Sequence, residues 1–336
     1  MTSNRVLKSL GALIASLAVL VGSAAPVFAA TTTSSTGSGA GNGMKVSPVH
    51  TELTMKPGES TTVDITFTNV TGATTTFQAI LNDFVASGDE SGNPAIILNP
   101  AQSAPSHGLK QYIAAVPNFT LAPGATKDIK AVINMPNNVA PGGYYGAVRF
   151  AAVAPGSGGK NVSLSASVAS LILVRVSGDV KEQMSIAGFD ARDHDKSRSI
   201  FTSNKNIDGV VRFQNEGNVQ EQPFGKMIVK DMHGKTIGTY SVNDTQPAGN
   251  VLPDSIRKFS IPLKNISKFG KYTIEGNFGY GNAGQLLTAK TTFYVIPIPV
   301  IVTVLVLIVL IIVAIFEAPR LVRRYNRRVL RNAGRK

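Results

Sequence analysis

Apolar and polar residues alternate in short runs between residues 45 and 295, and no long stretch there repeats with the period of an amphipathic helix. The first run, 45–54, ends at the turn Lys56-Pro57-Gly58-Glu59. Residues 61–68 then put Val63, Ile65 and Phe67 on one face, and residues 75–81 do the same with Phe77, Ala79 and Leu81. Shorter apolar runs follow at 95–98 and 112–116. A second Pro-Gly turn, Leu121-Ala-Pro123-Gly124, precedes the run 129–135, and residues 139–143 turn into 144–150. After a Gly/Ser break at 155–159 comes a longer run, 162–176. This number and spacing of strands predicts an immunoglobulin-like sandwich over residues 45–180.

A second set of runs starts at Met184: 184–189, 210–214, 226–230, 236–241, 256–262, 272–278 and 286–294. Residues 231–234 and 279–284 read as hairpin turns. A second sandwich is therefore expected over residues 181–295. The expected fold class is all-β, two immunoglobulin-like β-sandwich domains followed by one C-terminal transmembrane α-helix.

That helix is expected at residues 296–316, IPIPVIVTVLVLIVLIIVAIF, which carry no charge. As a helix they span about 31 Å, close to the hydrocarbon thickness of a bilayer. Pro297 and Pro299 fall in the first turn, where a missing amide is tolerated. A buried core helix is the alternative, but core helices are rarely apolar on every side over this length. At the other end, Arg5 and Lys8 precede an apolar stretch, and Val27-Phe28-Ala29 offers small residues before a cut. Residues 1–29 are expected to be a secretory signal cleaved after Ala29, with an uncleaved anchor as the alternative. Residues 30–44 are mostly Thr, Ser, Gly, Ala and Asn and read as a flexible spacer.

Charge changes the picture less than its total suggests. The net +13 looks like a nucleic-acid signal, yet residues 45–180 hold eight basic and eight acidic residues, and residues 181–295 hold fifteen against eleven. The tail, 317–336, carries eight basic residues against Glu317. Arg320, Arg323, Arg324, Arg327, Arg328 and Arg331 lie where basic residues fix membrane topology. The expectation is a single-pass protein of the cell membrane with the tail in the cytoplasm and residues 30–295 outside. A stop-transfer role explains these arginines, and contact with anionic membrane lipid is the further reading. No nucleic acid is expected as a partner. Cysteine is absent, which excludes disulfides, thiolate metal sites and a cysteine nucleophile.

Catalytic chemistry finds no motif. His50, His107, His194 and His233 stand far apart in sequence, and neither a zinc-protease, a nucleophile-elbow nor a phosphate-loop pattern occurs. No enzyme activity, no cofactor and no metal are expected. Asp190, Asp193, His194 and Asp195 form the densest ionisable cluster, but Arg192, Lys196 and Arg198 offset it, so a solvated loop is preferred to a calcium site. Asp89-Glu90 reads as a turn. Asn69, Asn118, Asn161, Asn243 and Asn265 match the glycan-acceptor pattern, which is common by chance in a Thr/Ser-rich chain. Tyr144 and Tyr145 sit among Gly142, Gly143 and Gly146. On a strand one ring faces the core and the other points out, where it can stack on a sugar or a partner; cross-strand packing is the alternative.

The motifs Lys45-Val-Ser-Pro48, Leu53-Thr-Met-Lys-Pro57-Gly58-Glu59 and Val63-Asp-Ile-Thr-Phe-Thr-Asn69-Val resemble the WxL-interacting proteins, a family of bacterial cell-surface proteins. Leu121-Ala-Pro-Gly124, Met135-Pro136 and Pro141-Gly-Gly143-Tyr-Tyr-Gly146-Ala-Val-Arg-Phe150 extend the resemblance, as do Phe213-Gln-Asn215-Glu-Gly217-Asn218-Val and Gly270-Lys-Tyr272. It implies a peptidoglycan-binding immunoglobulin-like domain, a second sandwich, a C-terminal membrane helix and a basic tail. Residues 77–98 depart from the family pattern, and no ligand-binding residue is carried across. The expected role is non-catalytic adhesion or surface scaffolding, with peptidoglycan or a surface or wall protein as the partner. A membrane-tethered chaperone or assembly factor acting by edge-strand addition is the alternative, and a wall-polymer hydrolase a third.

Overall fold

The computed structural model describes residues 43–153 and 166–333. The expected signal segment, spacer residues 30–42, the Gly/Ser break, Asn161 and the last three residues lie outside them. The first sandwich comprises β1 (Met44–Ser47), β2 (His50–Met55), β3 (Ser60–Asn69), β4 (Thr75–Ala86), β5 (Pro94–Ile96), β6 (Phe119–Leu121), β7 (Thr126–Asn134), β8 (Gly142–Ala152) and β9 (Ser167–Val176). One sheet has the order β1-β3-β7; the other runs β2-β9-β8-β4-β5, with β6 beside β4. The alternation in β3 and β4 buries Val63, Ile65, Phe67 and Phe77. The Phe67 ring lies 4.7 Å from Phe77 and 5.0 Å from Phe150, both tilted, the offset geometry that aromatic quadrupoles favour.

Two expected runs differ from what forms. Residues 45–54 are not one strand. β1 pairs antiparallel with β3 in one sheet, and β2 pairs in parallel with β9 in the other. The switch falls at Pro48, which has no amide for a continuing ladder. The run 112–116 is not a strand either. A 3-10 turn covers Lys110–Tyr112, and Ile113 bridges Ile133. The buried carboxylate of Asp83 accepts the Lys110 amide at 2.8 Å and the Ala104 amide at 3.0 Å. Satisfying that acid overrides the local strand preference.

The second sandwich comprises β10 (Met184–Asp193), β11 (Lys196–Ser197), β12 (Ile200–Phe201), β13 (Ile207–Asn215), β14 (Phe224–Lys230), β15 (Thr236–Val242), β16 (Ser255–Pro262), β17 (Gly270–Tyr280) and β18 (Gln285–Val295). A β11-β10-β13-β16 sheet faces a β12-β18-β17-β14-β15 sheet. Phe213 and Phe278 meet edge to face at 5.1 Å across this core. At the β14–β15 hairpin the Asp231 carboxylate accepts the amides of His233 and Lys235 at 2.9 and 3.0 Å, as an Asx turn should.

Only Ile296 and Pro297 separate β18 from α1 (Ile298–Ala333). Its segment Ile298–Arg320 is long and apolar enough to cross a membrane, and the sandwiches bury none of it. The helix does not stop where the apolar residues do. It continues through Pro319 to Ala333, a length of about 54 Å. Arg320, Arg323, Arg324, Arg327, Arg328 and Arg331 therefore all fall on the same helix as the apolar span.

Candidate functional site

The outer face of the β2-β9-β8-β4-β5 sheet is apolar, and the second sandwich covers part of it. Phe84, Tyr145, Ala147 and Leu173 form a separate buried cluster with Leu252 from the second sandwich packed against it. Polar contacts surround this cluster. Tyr145 Oη donates to Gln220 Oε1 at 3.0 Å. The Gly143 amide donates to Asn218 O at 2.7 Å, and Asn218 Nδ2 donates to Pro141 O at 3.0 Å. Arg212 Nε donates to Glu90 Oε2 at 2.7 Å, and the Lys258 amide donates to Glu90 O at 2.8 Å. The Arg212 guanidinium holds the Glu90 carboxyl below its ordinary range, against the opposing effect of burial.

These contacts relocate several residues singled out above. β8 does send Tyr144 and Tyr145 to opposite faces. Tyr144 packs against the first core, and its hydroxyl donates to Ala140 O at 2.9 Å. Tyr145, the ring on the outer face of the sheet, is 3 % exposed, because the second sandwich covers it. The glycines beside the pair serve this closure. Gly142 has φ +149°, and a Cβ there would stand 2.9 Å from Asn218 O; a Cβ on Gly143 would meet the Tyr145 hydroxyl and Gln220. Asp89-Glu90 does form a turn, but its Glu90 is an interdomain anchor. The Asp190–Asp195 cluster is spent on ion pairs: Asp190 with Arg192, Asp193 with Arg198 and Asp195 with Lys258. Among the described residues no group of three or more His, Asp or Glu is placed to hold a metal. Asn69 is fully buried, and both it and Asn243 spend their amides on backbone carbonyls, which bars a glycan at either.

Beside the interface a cleft of about 420 Å³ opens between the sandwiches. One wall is the edge strand β2, contributing Glu52, Leu53 and Thr54; Arg175 at the end of β9 extends it. The other wall is the loop carrying Gln220, Glu221 and Gln222, with Phe224 at the start of β14. Arg175 pairs with Glu182, whose carboxyl is pushed up by burial but drawn below its ordinary range by Arg175 and the Asn282 amide. Glu52 accepts from Asn250 Nδ2 at 2.6 Å and pairs with His50 at 2.7 Å; the His50 contact is the main reason its carboxyl sits low. Glu221 differs. It is 3 % exposed, and burial with the nearby Glu182 charge pushes its carboxyl up to about 7. Glu221 Oε1, Asn250 Oδ1 and Thr51 Oγ1 are the buried side-chain oxygens left without a hydrogen-bond partner among the described residues. Two of them line the cleft and the third is on β2. Unpaired buried acceptors are costly, and these three sit in or next to the residues that form the cleft.

Phe224, which lines the cleft, begins an exposed apolar row that runs away from it. Phe224 stands opposite Gly279, and Gly279 opposite Leu286, in one row across β14, β17 and β18. Phe224 is 57 % and Leu286 81 % exposed. Sequence reasoning missed the cleft because its walls lie more than a hundred residues apart. A signal for the interface was present in β9, where Leu171-Ile-Leu-Val174 is apolar without alternation, as in a strand buried on both faces.

No protein-family model matches the sequence, and no curated protein matches it. Solved structures resemble it in fold. The class 5 fimbriae chaperone CfaA shares 14% identity at a TM-score of 0.36, covering 75% of this chain and 99% of its own. The Escherichia coli chaperone DraB shares 14% identity at 0.31, covering 75% and 96%. The Pseudomonas aeruginosa chaperone CupB2 shares 12% identity at 0.32, covering 73% and 98%. Likeness at this level goes no further than a pair of β-sandwiches and carries nothing about activity.

Proposed function

We propose that the chain is a non-catalytic, membrane-tethered protein that holds an extended segment of another exported or surface polypeptide by strand addition along β2. One observation carries this reading: an edge strand lines an open cleft between the sandwiches. An added strand supplies backbone amides to the edge and alternate side chains to the walls. Glu52 and Glu182 outnumber Arg175 in and beside the cleft, and Glu221 adds its charge only above about pH 7, which favours a segment rich in Lys, Arg or amide side chains. Phe224 and Leu286 offer it apolar contact. In this reading α1 crosses the cell membrane, the sandwiches stand outside and the arginine-bearing end of the helix stays inside.

A holding or assembly role is preferred to adhesion on peptidoglycan, because Tyr145, the outward-facing ring of the Tyr144–Tyr145 pair, is covered by the second sandwich. The resemblance to WxL-interacting proteins supports a surface protein as the partner. The test uses the full chain in lipid nanodiscs and fluorescence polarisation of labelled extended peptides. Basic, amide-rich peptides should bind and acidic ones should not. The same peptides N-methylated at alternate amides should lose binding, since strand addition requires those donors. Equal binding of the N-methylated peptides, or retention on purified cell-wall sacculi with no peptide binding, overturns the proposal.

A further inference from the structure

The end of the second sandwich that meets α1 carries an apolar and basic surface of its own. Tyr294 on β18 is in register with Ile200 on β12 on one side and Lys271 on β17 on the other. Neighbours in register share a face of the sheet, so Ile200, Tyr294 and Lys271 form one outward row. Ile200 is 55 % and Tyr294 41 % exposed. Phe269, 59 % exposed, precedes Gly270, which pairs with Val295 at the exit to the helix. Lys268 and Lys271 flank it and are exposed. The exit is held firmly: the amides of Tyr294 and Ile296 donate to Ser199 O and Phe201 O, each at 2.8 Å.

We propose that this end is a lipid-facing foot, in which Phe269, Tyr294 and Ile200 enter the headgroup layer and Lys268 and Lys271 meet anionic headgroups. The proposal rests on the reading that α1 spans the membrane. The Ile298–Arg320 segment is about 34 Å long as a helix, slightly more than the hydrocarbon thickness of roughly 30 Å. Ile298 therefore lies at the outer hydrocarbon boundary, and residues 294–297 fall in the headgroup zone, where aromatic rings with a polar tip are favoured. A water-exposed Phe, Tyr and Ile at this position are otherwise unexplained, and the bilayer is the one surface that the chain's own connectivity brings to them. The far end of β18 offers a control. Leu286 lies eight residues from Tyr294, roughly 27 Å along β18, so the two mark opposite ends of the strand.

The chain contains no Trp, so single-Trp variants report depth without background. Phe269→Trp, Tyr294→Trp, Leu286→Trp and Leu307→Trp in the full chain are placed in nanodiscs of phosphatidylcholine and phosphatidylglycerol. Quenching is read with lipids brominated either near the headgroup or deep in the acyl chain. The expected result is blue-shifted emission from Phe269→Trp and Tyr294→Trp, with greater loss to shallow than to deep bromine. Leu307→Trp should be quenched by deep bromine, and Leu286→Trp by neither. Quenching of Leu307→Trp without quenching at residues 269 and 294 overturns the foot and leaves the spanning helix standing. A Leu307→Trp that escapes deep bromine removes the spanning reading and the foot with it.

Discussion

Both sandwiches tie off the end of a central strand with a Phe-x-Asn step, and they use it for different ends. In the first, fully buried Asn69 donates from Nδ2 to Ala73 O, Leu121 O and Ala122 O, while its Oδ1 accepts the Thr71 amide at 2.9 Å. In the second, fully buried Asn215 donates to Val219 O at 2.7 Å and Val251 O at 2.8 Å, and accepts the Gly217 amide at 2.9 Å. The partners of Asn69 all belong to the first sandwich. The loop tied by Asn215 leads instead to Asn218 and Gln220, which bond Gly143, Pro141 and Tyr145 across the interface. The same knot closes a core in one domain and presents a docking loop in the other.

The largest effects test that division. Asn69→Ala and Asn215→Ala each leave buried carbonyls unpaired, at a cost of about 2–4 kcal/mol. Denaturant unfolding of the full chain in detergent measures it. Only Asn215→Ala should also speed hydrogen exchange at the Gly143 amide, whose acceptor sits on the docking loop. Faster exchange there in Asn69→Ala would dissolve the distinction between the two knots.

Next comes the ion pair outside the knots. Arg212→Ala strands a partly buried Glu90 carboxylate, costing about 1–3 kcal/mol. The damage falls on the interface rather than on either core. The expected signature is therefore a single thermal transition splitting into two, one per sandwich. A uniform shift without splitting would mean that the domains unfold together for reasons other than this contact.

Most of the architecture was legible in the residues, and the interface was not. β3 and the first half of β4 declare themselves through alternation, because each has one buried and one wetter face, whereas β8 is buried on both. The 3-10 turn at Lys110–Tyr112 escaped because its cause is a carboxylate 27 residues upstream in β4. The Glu90–Arg212 pair spans 122 residues and leaves no local trace. The glycines before Tyr144 were visible as a motif, but their purpose, close approach of Asn218, exists only once both domains are placed.

Smaller effects separate the cleft from the rest of the interface. An unfolded glutamate loses its proton near 4.5, whereas folded Glu221 keeps it to about 7. Between those values the folded state holds the extra proton, so stability falls as pH rises and stays low above the upper value. Glu221→Gln removes the titration. It should leave the melting temperature near pH 4.5 unchanged and raise stability at pH 8 by up to about 3 kcal/mol. A pH profile parallel to that of the unaltered chain would show that Glu221 ionises freely in the cleft.

The smallest expected change lies on the first sandwich's own surface, where Lys130 pairs with Asp64 at 3.3 Å across β3 and β7. Both side chains are mostly exposed, so water competes for each charge and salt screens the remainder. Lys130→Ala should shift stability by less than about 0.5 kcal/mol and leave the transition unsplit. Set beside Arg212→Ala, it asks whether burial or mere charge pairing decides the cost. The Arg212 guanidinium sits in a partly dry interface and forks onto both oxygens of Glu90, so its removal abandons a carboxylate that water reaches poorly. Removing Lys130 abandons one that water already surrounds. If the two substitutions cost the same, the interface is wetter than its packing implies, and the docking loop owes its place to Asn215 and the bonds of Asn218 and Gln220.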